Sequence, residues 1–470
     1  MKKYFYLLLS LLSLTISANA QNVGIGTTSP KASFNVAKGK TVLFGRDTIG
    51  DGGRFMYIPT KYACRIGAIG HVQEWSGSFY GDTTAWNYDS IGMFSLAAGM
   101  QNQATQVGSI ALGGLNNSRG YYSTALGFNN LAKGTSSLCS GTLNQSRGEV
   151  SAAIGLQNIA KGSYSLAFGE QNEATYPHSV AIGHYNQSFG ATSIAMGYYN
   201  HCYKHNSVSI GFWNYNYALG GHIYGTNLIN NSYVSMVLGV NNAPIANADS
   251  SNWVPTDPLL MIGNGQYDHL RNNALVMLKN GRTGFGTDSP AGLVHIKYNS
   301  STGIPQLYLQ ENGNDYARIT FKNNNPGFWD LAGFAQGLFG DNEYAEFNFY
   351  YSLFGGNILK LKGNGNAVLA GTLTQSSDER LKINIEPLSD ALNRILKING
   401  YTYNWKDTLR GVDPQIGFIA QELEQQFPEL VETDEDGMKS VAYSNMVPVL
   451  LEAIKEQQKQ IDELIAMLKD

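Results

Sequence analysis

A 14-residue period governs the middle of this chain. Its core is Ser-x-Ala-x-Gly, as in Ser109-Ile110-Ala111-Leu112-Gly113. The glycines recur without a slip at Gly99, Gly113, Gly127, Gly141, Gly155, Gly169, Gly183, Gly197, Gly211, Gly225 and Gly239. Three residues beyond each comes asparagine, from Asn102 to Asn214 and again at Asn242, and Leu228 alone breaks that series. A fixed period of this length marks stacked repeats. Fourteen residues suit one coil of two short strands and two turns. Glycine, and less readily asparagine, adopts the positive φ of tight turns, and stacked asparagine amides can hydrogen-bond as a ladder. Within each strand, large apolar residues flank alanine (Ile110/Leu112, Val180/Ile182, Ile194/Met196) and alternate with Ser, Ala and Gly, giving the strand two unlike faces. The expectation is that the large set fills the coil and the small set leaves a smooth face for another chain. At roughly 4.8 Å per coil, the eleven registers make a rod about 50 Å long. Degeneration from Gly221 to Leu228 suggests an inserted loop.

Composition agrees with stacked β-structure rather than a helical enzyme: 53 Gly and 28 Tyr accompany only 14% charged residues. The net charge of −4 gives no basis for a nucleic-acid partner. Cys64, Cys139 and Cys202 are too few, and odd in number, for a disulfide framework. Cys139 and Cys202 occupy slots that other repeats fill with Ala or Ser. His201-Cys202-Tyr203-Lys204-His205 is therefore read as small-residue packing rather than a metal cluster, and no metal or cofactor is expected. Asp434 to Gly437 is too short for a calcium loop and reads as a hairpin turn. Between Ile91 and Gly220 the only acids are Glu149, Glu170 and Glu173. A glycosidase needs a carboxylate pair, so the rod is a poor candidate, while 37–94 and 291–375 stay open.

The chain opens Met1-Lys2-Lys3, continues with an apolar run from Tyr4 to Ile16, and reaches Ser17-Ala18-Asn19-Ala20. These are the parts of a secretory signal peptide cleaved after Ala20. The expectation is a secreted or cell-surface protein of Gram-negative type with no transmembrane segment after cleavage. Gly24-Ile25-Gly26-Thr27-Thr28-Ser29-Pro30 recurs as Gly284-Phe285-Gly286-Thr287-Asp288-Ser289-Pro290. Each copy precedes a short alternating strand, Ala32 to Val36 and Leu293 to Ile296. No βαβ unit follows, so nucleotide binding is not indicated. The motif is similar to one that opens β-segments in many exported fibre proteins. Residues 291–375 read as short strands joined by turns such as Asn364-Gly365, and 37–94 as irregular β-structure.

Residues 376–470 differ in character, with 18 acidic and 10 basic residues. Ser377-Asp378-Glu379-Arg380-Leu381-Lys382 leads into a helix-period stretch from Leu388 to Ile398. A strand-like Tyr401–Trp405 follows, then Gly417-Phe418-Ile419-Ala420-Gln421-Glu422 opening a helix to Phe427-Pro428. A last helix begins near Tyr443. Ser376-x-x-Glu379 also fits a capping box, which would merely start a helix. Val447, Leu450, Ile454, Gln457, Ile461, Leu464 and Leu468 fall in alternate steps of three and four, the a/d pattern of a coiled coil.

The 14-residue pattern from Ser95 to Asn242 resembles the head repeats of YadA-type trimeric adhesins, which implies a left-handed parallel β-roll in a homotrimer. The anchor barrel of those adhesins has no counterpart in this sequence. The blocks Ser-Asp-x-Arg-x-Lys and Gly-x-Ile-Ala-Gln-Glu resemble the C-terminal intramolecular chaperone of phage endosialidases and tail spikes, classed as a serine peptidase. That resemblance implies a domain that promotes trimerisation and then cuts itself free. It makes Ser377 and Lys382 a catalytic dyad and Ser376–Ser377 the scissile bond. A serine hydroxyl needs a base to become a nucleophile, and a lysine is a base only when neutral, against an ordinary pKa of about 10.4. Asp378 and Arg380 are candidate supports, pairing with each other or steadying an oxyanion.

The fold expected is thus mainly β. A leader (1–20) and a β-rich segment (21–94) precede the β-roll (95–242) and a β-rich neck (243–375). A small α+β domain (376–470) follows, with a coiled coil over about 444–470. The function expected is an exported trimeric, adhesin-like fibre matured by self-cleavage, meeting a host or environmental glycan or surface. A fibre-borne polysaccharide-degrading enzyme and an uncut fibre that uses the domain only as a trimeriser are the alternatives.

Overall fold

The computed structural model describes residues 23–32, 34–45, 51–74, 77–80, 82–301, 303–335 and 345–469. The leader, 1–20, lies outside the described residues. The chain divides into two units, Met1–Gln306 and Leu307–Asp470.

The first unit is a β-solenoid. Each coil supplies a five-residue strand, such as Ile110–Gly114, and a two-residue strand, such as Asn117–Ser118. Each pairs in parallel with its equivalent one coil on, in unbroken register: Gly113 faces Gly127, and Ser118 faces Ala132. The repeat glycine is obligatory twice over. At Gly155 φ is +116°, and a Cβ there would lie 2.0 Å from the carbonyl oxygen of Gly169.

The interior inverts the expectation from the sequence. Alanines 97, 111, 125, 153, 167, 181 and 195 are fully buried, as are Ser109, Ser123 and the asparagine row. The large residues lie outside, with Phe168 48% and Tyr224 39% exposed. The phase of alternation was legible, but its sense was not, because the interior slot of the closed coil is narrow: alanine fills it in most repeats, and Ile223 and Val237 fill it where the motif lapses. Nor does the asparagine supply the positive φ. The residue before it does: Gln101, Leu115, Tyr185 and Trp213 have φ between 55° and 58°. The asparagine points inward instead. Asn158 Nδ2 donates to Asn144 Oδ1 at 3.1 Å, to the carbonyl of Ile154 at 2.9 Å and to that of Gly169 at 2.6 Å. The ladder runs up to Leu228, whose amide still donates to Asn214 Oδ1 at 3.0 Å.

No loop is inserted at Gly221–Leu228. His222–Thr226 pairs with both neighbouring coils, because buried Ala218 and Leu228 fill the lumen where the motif lapses. The insertion comes later, since Gly239 pairs with Gly263 rather than with a residue 14 further on. Before the repeats, Ala63–Ile69 pairs in parallel with Leu96–Met100 and puts Arg65 in the slot of Ala97. Arg65 is fully buried, and its guanidinium donates to Ser95 Oγ and to the carbonyls of Cys64, Ser95 and Ala104.

The two glycine motifs fold alike. Val23–Ile25 pairs in parallel with Phe34–Val36, and Thr283–Phe285 with Val294–Ile296. The amide of Lys31 donates to Asn35 Oδ1 and that of Ala291 to His295 Nδ1, the same bond at equivalent positions.

In the second unit, five antiparallel strands from Ala317–Lys322 to Ala367–Leu369 form a sheet. One face carries Ile319, Phe321, Trp329 and Phe347, all exposed. The other carries Arg318, Asp330, Glu346, Asn348 and Lys360. Glu346 accepts from Tyr316, Asn348 and Lys360. Burial pushes its carboxyl up, but these bonds outweigh it and hold it below the usual range.

The rest of this unit is α+β. Helix α1 (Ala391–Ile395) is shorter than its sequence pattern, because Asp390 sits in the left-handed region at φ 57° and bars an earlier start. Helix α2 (Ala420–Gln426), the hairpin Val431–Thr433/Lys439–Val441 and helix α3 (Met446–Met467) follow. Their core is Leu392, Leu423, Phe427, Leu430, Met446, Val449 and Ala453.

Candidate functional site

The segment from Ser377 to Lys382 is held by a single turn. Its N-cap is Asp378 rather than Ser376: the Asp378 carboxylate accepts from the Arg380 amide at 2.9 Å and opens the 3-10 turn Glu379–Leu381. The Arg380 guanidinium returns to the same carboxylate, with Nη2 at 2.7 Å from Oδ2. These bonds hold the Asp378 carboxyl below its ordinary range and raise Arg380. Of the roles open to Arg380, pairing with Asp378 is the one observed. The turn closes with the Lys382 amide donating to the Glu379 carbonyl at 3.0 Å. Residues five apart are thereby brought together, and Lys382 Nζ lies 2.7 Å from Ser377 Oγ. Both side chains are exposed in the single chain, as is every residue from 371 to 390. One contact that the sequence did not suggest holds the chain before the bond: Gln375 Nε2 donates to Ser444 Oγ at 3.1 Å. It spans 69 residues, and no local pattern marks it.

The second block is scaffold. The Phe418 amide donates to the Tyr443 hydroxyl at 3.0 Å, and a Cβ on Gly417 would lie 2.3 Å from that oxygen. Glu422 accepts from the Tyr401 hydroxyl at 2.9 Å. Arg394 lies over the Phe427 ring, 4.0 Å from its centre, and donates to the Gln426 carbonyl at 2.8 Å.

Helix α3 has two apolar faces. Met446, Val449 and Ala453 are buried against the domain, and Glu456 on the same side caps α1 by accepting from the amides of Ala391 and Leu392. The heptad row Val447, Leu450, Ile454, Gln457, Ile461, Leu464 and Leu468 forms an adjacent stripe, all of it exposed.

His201 and Cys202 sit on opposite faces of one strand. Cys202 Sγ contacts the Ile194 carbonyl inside, and His201 stacks on Tyr215 outside at 4.9 Å. Among the described residues no cluster suits a metal ion, and no helix is long and apolar enough to cross a membrane.

Residues 377–432 match the family described as chaperone of endosialidase, and 118–138 and 177–200 match the YadA head domain repeat. Together with the solenoid, these matches describe a chain in which repeats similar to the YadA head precede a region similar to the chaperone of endosialidase. Its curated relatives are long tail fiber proteins Gp37 of phages. That of Salmonella phage S16 is 32% identical over 114 residues, 23% of this chain and 15% of the relative. That of Enterobacteria phage Ox2 is 33% identical over 109 residues, 22% of this chain and 42% of the relative. The chain thus spans less than half the length of either.

Proposed function

We propose that this chain is an exported, adhesin-like trimeric fibre whose last domain promotes trimerisation and then cuts the Ser376–Ser377 bond. The observation that carries the cleavage is the 2.7 Å contact between Lys382 Nζ and Ser377 Oγ. Neutral Lys382 takes the hydroxyl proton while Ser377 Oγ attacks the carbonyl carbon of Ser376. The C–N bond breaks, the Ser377 nitrogen receives a proton, and an ester joins Ser376 to the Ser377 oxygen. Water hydrolyses the ester, leaving a carboxylate on Ser376 and a free hydroxyl on Ser377. A solvated lysine is charged at neutral pH. Packing by neighbouring copies removes water from the pair and favours the neutral amine, so cutting follows assembly. The homotrimer is supported by the exposed apolar surfaces: the outer stripe of the solenoid, one face of the five-stranded sheet and the heptad row of α3. A leader-directed export route and contact with a glycan or surface complete the reading.

The test is a denaturing gel of residues 21–470. Wild type is expected to release a fragment beginning at Ser377, and Ser377→Ala and Lys382→Ala to remain whole. A single uncut band from trimeric wild type would refute self-cleavage and favour the uncut trimeriser.

A further inference from the structure

We infer that the two-residue-strand sheet of the solenoid carries a binding strip for an acidic polysaccharide, with Arg119, Lys133 and Arg147 as its anion contacts. The inference rests on the reading of the chain as a surface-binding fibre. These three residues hold the same position in successive coils, one residue past the in-register pairs Ser118/Ala132 and Ala132/Ser146. In-register coils put equivalent residues about 4.8 Å apart, so the cations stand in a line along the rod. All three are exposed. They line one groove with Thr105, Gln106 and Leu131.

The row lacks counter-charge. Its fourth member, Lys161, pairs with Glu173. Among the described residues Arg119, Lys133 and Arg147 form no ion pair, Glu149 forms none, and Glu170 faces His184 at 3.8 Å. The two guanidinium groups are instead held by neighbouring amides: Arg119 Nε donates to Asn117 Oδ1 at 2.8 Å and Arg147 Nη2 to Gln145 Oε1 at 2.5 Å. Like charges at one-coil spacing repel, and nothing in the coil requires a charge at this outward position, since Thr175, Phe189 and Tyr203 fill it elsewhere. A second copy of the rod has few acids to offer and none in a row. Duplex DNA carries a charge about every 1.7 Å of its axis, far denser than one cation per coil. A polyuronate carries one carboxylate on each sugar ring, a sparser repeat closer to the coil spacing. Further along, the same row becomes Phe189, Tyr203 and Tyr217. The rings of Tyr203 and Tyr217 stack 4.7 Å apart and 1° from parallel, leaving edges and hydroxyls for sugar hydroxyls.

The test is native electrophoresis of the full chain through gels containing polygalacturonate, its fully methyl-esterified form, or dextran. Polygalacturonate should retard wild type, and salt should relieve the retardation. Arg119→Gln/Lys133→Gln/Arg147→Gln should weaken it at least ~10-fold, while Arg119→Lys/Lys133→Arg/Arg147→Lys keeps it. Should the triple glutamine variant melt early, Lys133→Glu alone, at an exposed side chain, decides the matter. Unchanged retardation of the glutamine variant, equal retardation by the ester or dextran, or displacement by single-stranded DNA at lower concentration would overturn the proposal. Oligomeric state is measured on the same samples. A monomeric wild type fails the fibre reading itself, whereas a trimer indifferent to polygalacturonate fails only this inference.

Discussion

Cys139 and Cys202 show how far a lumen made for small side chains constrains its occupants. Each thiol replaces an alanine or serine and donates to a carbonyl at 3.1 Å, that of Leu131 or Ile194. Burial pushes both up to about 12, from an ordinary 9.0. The folded state therefore holds its thiol protons more tightly than the unfolded chain. The stability they confer is complete below about pH 9 and falls as pH rises towards 12, by up to ~1.4 kcal/mol per thiol for each pH unit. Urea midpoints measured across that alkaline range should fall more steeply for wild type than for Cys139→Ala/Cys202→Ala. Equal slopes would show that the thiols ionise in place. The same burial should keep both sulfurs unalkylated until the chain unfolds, as read by mass spectrometry.

At the scale of the coil, two residues are fixed for different reasons. Asn158→Ala removes the bonds its side-chain amide donates and leaves the buried Asn172 backbone N–H, which donates to Asn158 Oδ1 at 3.0 Å, without that acceptor, a loss of about 2–3 kcal/mol in denaturant unfolding. Gly155→Ala meets a steric limit, with its new Cβ 2.0 Å from the Gly169 oxygen at a φ of +116°. It should cost more than the asparagine change, at least about 3 kcal/mol, because no neighbour can yield without breaking register. A Gly155→Ala protein as stable as Asn158→Ala would mean that the coils slide to admit a methyl group. Solenoid coils contact only their neighbours, so either lesion divides the array into two shorter ones.

For the whole molecule, the decisive question is what covers the apolar faces left open in the single chain. Helix α3 allows a clean separation of folding from assembly. Ile454→Asp alters the exposed row and should give a folded monomer by sedimentation velocity, with the Ser376–Ser377 cut lost or slowed. Val449→Asp puts a charge into the domain core and should unfold the domain itself, a cost of several kcal/mol. Trimers from Ile454→Asp would show that the heptad row is not the seam.

The repeat, its register and its ladder could be read directly from the residues, because a period of 14 leaves few ways to stack. The pairing of Ser377 with Lys382 was suggested by a motif, and Asp434–Gly437 was legible as a turn through its composition. Which way the alternating faces point was not legible, since alternation fixes phase and only the width of the closed coil decides that alanine goes in and leucine out. The same holds for Leu228, where volume rather than motif preserves the coil. It holds also for Arg65 in the slot of Ala97 and for the bond from Gln375 to Ser444. Sequence alone determined what repeats and what chemistry is present. Tertiary structure decided which residues face each other, because contacts inside a closed coil or across 69 residues depend on closure of the chain rather than on any local pattern.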